Sequence, residues 1–196
     1  MSVIDTLIFD RTQSDVDRVY ELRDKILSGG MDSLSNEEKT EWLSGMKGAY
    51  NYTDMNRVGE AEQYIYDRML ALPEELDAYR ESKGIEDSPE FHVPYNPSEI
   101  NVSPLTDITM NTGPSSLVVL VYLLNLINLS QVLTLPDDAP SCPVTMDMMT
   151  YSMANDIERL LYMIDHALSE LESELYQKID HAVLSFPYTN AFYSGE

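Results

Sequence analysis

The sequence has a single cysteine, Cys142, so no disulfide can form within the chain. That residue lies in the stretch Leu135-Pro-Asp-Asp-Ala-Pro-Ser-Cys-Pro with no histidine beside it, so nothing there activates a thiol. Positive charge is scarce as well. Twelve Lys and Arg stand against 34 Asp and Glu, for a net charge of −22, and no base occurs between Lys83 and Arg159. A field of this sign opposes approach to phosphate backbones and anionic membranes, which excludes nucleic acid as an expected ligand. The imbalance is uneven: residues 1–83 hold ten bases and eighteen acids, a net of −8, whereas 84–196 hold two and sixteen, a net of −14. Solubility in a crowded assembly and complementarity to a basic partner both fit such a surface.

A long apolar run is also missing. The most apolar stretch, Leu117 to Leu129, is shorter than the ~20 residues a membrane span needs, contains Asn125 and Asn128, and has no basic flank. No membrane insertion is expected. Met1-Ser-Val-Ile-Asp lacks the basic and apolar regions of a secretory signal, so synthesis and residence in a reducing cytoplasm are expected.

Motifs of catalysis and cofactor binding are absent too: there is no HExxH, CxxC, GxGxxG or GxxxxGK[ST] pattern, and no cofactor is expected. His166 and His181 fall on one helical stretch, roughly 22 Å apart at helical rise, too far to share a metal, and His92 sits in a loop. The acid pairs Glu170/Glu174 and Glu37-Glu38 read as a solvated helix face and a helix start. Asp137-Asp138 lacks the alternating oxygen ligands of a calcium loop. Met146, Met148, Met149, Met153 and Met163 read as core filling before they read as an adaptable groove. No enzymatic activity is expected.

What is present is helical patterning. Thr12 with Asp15 forms a capping box, and Val16, Val19, Leu22 and Ile26 follow at helical spacing until Gly29-Gly30. Ser35 with Glu38 caps a short second helix that offers Trp42, Leu43 and Met46 to a core before Gly48. Thr53 or Asp54 caps a third, with Val58, Ala61, Ile65, Met69 and Leu72 on one face and Pro73 at its end. Glu74 to Lys83 is a further helix. Five prolines between Gly84 and Pro114 break regular structure, leaving Glu99 to Val102 as a strand-like fragment. Leu117 to Leu129 suits a helix buried on most sides.

From about residue 151 to 185 there is neither Gly nor Pro, and Thr150 caps one long helix. Within it Ile157, Leu161, Ile164, Leu168, Leu171 and Leu175 alternate spacings of four and three, the repeat of a coiled-coil seam. Two readings stay open: a seam joining copies of the chain, or a stripe packed on Leu117 to Leu129 inside one subunit. The aromatic tail, with Phe192 and Tyr193, is β-prone and suited to add a strand to a neighbour. The expected fold class is mainly α: a helical bundle with Pro-rich connecting loops, one long C-terminal helix with a coiled-coil-like repeat, and a short β-prone tail. Its expected organisation is an N-terminal helical region, 1–83, a Pro-rich linker, 84–114, and a C-terminal helical region, 115–196.

Four phrases carry a resemblance. They are Asp10-Arg-Thr-Gln-Ser-Asp-Val-Asp-Arg-Val, Glu41-Trp-Leu-Ser-Gly-Met-Lys-Gly-Ala-Tyr-Asn-Tyr-Thr-Asp-Met-Asn-Arg-Val, Tyr151-Ser-Met-Ala-Asn-Asp-Ile-Glu-Arg-Leu-Leu and the closing Phe192-Tyr-Ser-Gly-Glu. In this order they resemble small structural proteins encoded near the tail and baseplate genes of phages and prophages of Gram-positive bacteria. Leu105 and Ile108 stand where that pattern has Lys and Trp, Asp156 where it has Asn, and the linker from Leu72 to Asn101 is longer. The resemblance implies a virion tail or baseplate component, synthesised in the host cytoplasm. Such a component would form a homo-oligomer, with a trimer favoured, and would join other tail, baseplate or fibre proteins. A competing expectation from the charge alone is an acidic DNA mimic that inhibits a host nucleic-acid-binding protein.

Overall fold

A computed structural model describes residues 2–72, 79–85, 116–130, 132–143 and 149–184. The chain is mainly helical, and no strand occurs among the described residues. After a 3-10 turn at Val3–Thr6 come α1 (Gln13–Gly29), a second 3-10 turn at Met31–Ser33, α2 (Asn36–Leu43), α3 (Tyr52–Leu70), α4 (Ser116–Ser130) and α5 (Tyr151–Leu184). Residues 79–82 are also helical. The expected linker beyond Ile85, the strand-like fragment at Glu99 to Val102 and the aromatic tail lie outside the described residues.

Helix starts follow local hydrogen-bond chemistry. Thr12 and Ser35 both form complete capping boxes, with Asp15 and Glu38 reaching back to the cap backbone. Gly30, at φ 71°, closes α1 in a conformation that costs a side-chain-bearing residue more. The cap of α3 is Asn51, not Thr53 or Asp54. Its side chain accepts from the Thr53 N–H at 2.8 Å while Asp54, at N3, accepts from the Asn51 N–H at 2.9 Å. Asparagine caps as well as threonine does, and of the three candidate caps only Asn51 has an acid at N3 to complete the reciprocal pair. Thr150 caps α5 through a 3.2 Å bond from the Met153 N–H.

Two apolar cores result. The larger joins α3, α4 and α5 with Ile4 of the first 3-10 turn. Val58, Ala61, Ile65 and Met69 supply the α3 face, as their spacing predicts, and Leu72, just past its end, is buried with them. All six residues of the long-helix stripe, Ile157, Leu161, Ile164, Leu168, Leu171 and Leu175, are buried in this same core. Thus α3 of the N-terminal region and α4 and α5 of the C-terminal region share one interior. Among the described side chains of α4 burial is one-sided: Leu120, Leu123, Leu126 and Ile127 point inward, whereas Val121, Asn125 and Asn128, at i, i+4 and i+7, form an exposed edge.

The smaller core belongs to α1 and α2, where Leu22, Leu34 and Met46 are buried with Val19, Ile26, Trp42 and Ala49 around them. Leu43 is not part of it, being 76 % exposed at the last position of α2. Eight residues make just over two turns, so Trp42 and the following Met46 fill the inward side and Leu43 faces outward. Gly48 sits where the chain after α2 crosses the start of α1. A Cβ there would fall on the Asp15 carbonyl and lie 2.6 Å from the Val16 nitrogen, both backbone atoms that cannot step aside. Gly48→Ala is therefore expected to destabilise by ~2–3 kcal/mol, and urea unfolding that leaves the midpoint unchanged would contradict this packing.

Candidate functional site

Between the two cores the strap Ile8–Arg11 crosses α3 and α5, and its polar groups are met by side chains. The Arg11 N–H donates to Asn155 Oδ1 at 3.0 Å while Asn155 Nδ2 donates to the Arg11 carbonyl at 2.9 Å. The Ile8 N–H donates to Glu158 Oε2 at 2.6 Å. Asn155 and Glu158 therefore satisfy this piece of backbone as a neighbouring strand would. Phe9 packs beside the Tyr162 ring, with centroids 5.3 Å apart.

Arg11 turns inward from this strap. Its guanidinium donates to Asp54 Oδ1 at 2.9 Å and Glu158 Oε1 at 2.7 Å, and back to the Ile8 carbonyl. It also lies 5.5 Å from the centre of the Tyr50 ring. Arg57, one turn after Asp54 on α3, forks onto both oxygens of Glu158 at 3.0 Å each and also pairs with Asp54. Glu158 and the Arg11 side chain are almost wholly shielded from water. Two guanidinium cations meet two carboxylates, so the cluster is charge-balanced, as burial requires. Burial works against the Arg57 charge, yet Glu158 and Asp54 outweigh it and hold the group above its ordinary pKa. Tyr50 is pushed upward, chiefly by burial and then by the negative charges of Glu158 and Asp54.

Both carboxylates are heavily engaged, Glu158 to capacity. Asp54 Oδ1 receives two guanidinium groups and Oδ2 the Asn51 N–H, while Glu158 Oε1 receives two guanidinium groups and Oε2 Arg57 and the Ile8 N–H. Glu158, accepting four, has no lone pair left for a metal or a substrate proton, and Asp54, accepting three, keeps one. What the cluster does is fasten three distant parts of the chain. A second, more exposed clasp joins the C-terminal end of α3 to the middle of α5: Arg68 on α3 bridges Asp165 and Glu172 of α5 and donates to Ser169 at 3.1 Å.

The groups singled out in the sequence do not converge. His166 is exposed and lies 3.5 Å from Glu170, His181 lies toward the end of α5, and His92 falls outside the described residues. Among the described residues no three His, Cys, Asp or Glu side chains gather as a metal site. Asp138 pairs with Arg159 at 2.7 Å. Cys142 is half-buried, and burial chiefly pushes its thiol up, away from the reactive thiolate. Phe192 and Tyr193 lie outside the described residues.

The clasp itself was not foreseen, although its signal was present. Glu158 stands four residues after Ala154 and three before Leu161, inside the apolar stripe of α5. Asp54 and Glu62 flank Val58 by four residues on either side, inside the stripe of α3. An acid at a position that periodicity assigns to the core must find a cation or lose its charge.

No family model, no curated protein and no solved structure matches this chain. Among the described residues no helix is long and apolar enough to cross a membrane.

Proposed function

We propose that this chain is a structural component of a phage tail or baseplate, a connector or fibre-associated part that acts by assembly. One observation carries the reading. Three of the four phrases behind the sequence resemblance supply the buried clasp: Arg11 comes from the first, Tyr50, Asp54 and Arg57 from the second, and Asn155 and Glu158 from the third. The residues that carry the likeness thus serve architecture. They tie the strap, α3 and α5 into one frame, as a part that transmits position between neighbours requires.

Assembly on this reading uses surfaces other than the stripe, which the chain's own core consumes. At ~1.5 Å per residue the 34-residue α5 spans about 51 Å, against about 28 Å for the 19-residue α3, so α5 outreaches the helix it packs on. Its distal end and the β-prone tail with Phe192 and Tyr193 are the proposed contacts to other copies, a trimer being favoured, and to tail or fibre proteins. The acidic surface keeps such a multimer soluble.

The test is composition. Mass spectrometry of particles purified from the phage or induced prophage that encodes the chain is expected to find it in fixed ratio to the tail proteins. Its presence in the infected cell together with absence from the particles would overturn the proposal.

A further inference from the structure

Glu62 lies on the inward face of α3 and is 1 % exposed, among the most enclosed side chains of the protein. Its Oε1 is buried with no hydrogen-bond partner. Among the described residues the groups that feel its charge are Tyr50, ahead of α3, and Cys142, in the segment 132–143, and neither is a cation. Of the elements packed on α3, α4 carries no charged residue at all. α5 contributes Glu158 and the strap contributes Arg11, while α3 itself carries Asp54 and Arg57 on the N-terminal side of Glu62. These four are already committed to one another. Compensating an ionised Glu62 from the clasp would break it, since the clasp holds no spare positive charge; Arg68 is committed to Asp165 and Glu172, and the buried Arg80 of the helical turn 79–82 exerts no pull that offsets the burial of Glu62.

Part of the cover is thin. Val132, Leu135, Ala139 and Cys142, from the irregular segment after α4, pack on the large core and are only half-buried. We propose that Glu62 is a proton-dependent fastener: neutral, it lets the 132–143 segment close over α3, and ionised, it drives that segment open. Opening brings water to the carboxylate without disturbing the Arg11–Glu158 cluster, and it exposes Cys142.

The direction of pH dependence follows. Burial pushes the carboxyl well above the usual carboxylate range, so the closed chain keeps its proton at pH values where an exposed glutamate, with an ordinary pKa of 4.5, has lost it. Closure is fully favoured below that ordinary value and weakens as pH rises toward the closed-state pKa. In this window the open population grows about tenfold per pH unit.

Cys142 reports the event directly. Its alkylation rate, divided at each pH by the rate of the urea-unfolded chain, removes the intrinsic titration of the thiol. The wild-type ratio is expected to rise about tenfold per pH unit from about pH 5 until the closed-state titration, with unchanged helical circular dichroism. In Glu62→Gln it is expected to stay flat. Glu62→Met, also unable to ionise, serves if the amide variant does not fold. A flat wild-type ratio, or variants that rise in parallel with wild type, would overturn the proposal.

Discussion

Replacing Glu158 by alanine is expected to cost about 3–5 kcal/mol of folding stability, the range for removing one partner of a buried ion pair. The side chain is fully buried and answers three donors: Arg11, Arg57 and the Ile8 N–H. Without it two guanidinium groups face Asp54 alone, leaving one positive charge uncompensated in a site shielded from water. Such a loss is a large fraction of the 5–15 kcal/mol that holds an ordinary protein folded. Urea unfolding is expected to show a lower midpoint with an unchanged slope, because the surface exposed on unfolding stays the same. A loss below about 1 kcal/mol, the range of exposed pairs, would show that the cluster is solvated and not a clasp. The double replacement Arg11→Met with Glu158→Leu gives the complementary result. It removes a cation and an anion together, so the remaining Arg57–Asp54 pair stays balanced, and part of the stability lost in Glu158→Ala is expected to return.

How legible this structure was depended on the range of the interactions involved. Thr12, Ser35 and Thr150 announce helix starts because a cap is satisfied within three residues, and Gly30 announces a stop because φ near 71° is local. Asn51 does not stand out from its neighbours in the sequence because Thr53 and Asp54 offer equally good caps, and only the geometry shows which carboxylate reaches back. The one-sided exposure of α4 left almost no trace, since valine and leucine fit either face and only Asn125 and Asn128 mark the edge. The clasp joins residues 43 to 147 positions apart in sequence, a separation that no periodicity spans. Its trace was a fault in a pattern: acids at core positions of two stripes, whose partners only folding supplies.

The long-helix stripe shows the same limit, and it leads to the second large effect. Spacings of four and three say that Ile157 to Leu175 form one seam, but not whose surface fills it. In the structure the chain's own core fills it: Leu161 is fully buried in the cluster that also holds residues of α3 and α4. Leu161→Ala is accordingly expected to cost about 2–5 kcal/mol, from lost burial plus the cavity left behind. Since the loss lies within one chain, the thermal midpoints of wild type and variant are expected to differ by the same amount at every protein concentration. Light scattering during size-exclusion chromatography is expected to return the same mass for both. A stripe shared between copies would behave otherwise, because stability that comes from association rises with concentration by mass action. The variant would then dissociate, and the gap between the two midpoints would change on dilution. A multimer of unchanged mass in both proteins would agree with the proposed division of labour on α5, in which the segment from Ile157 to Leu175 closes the core of each copy and the end beyond it is left to join them.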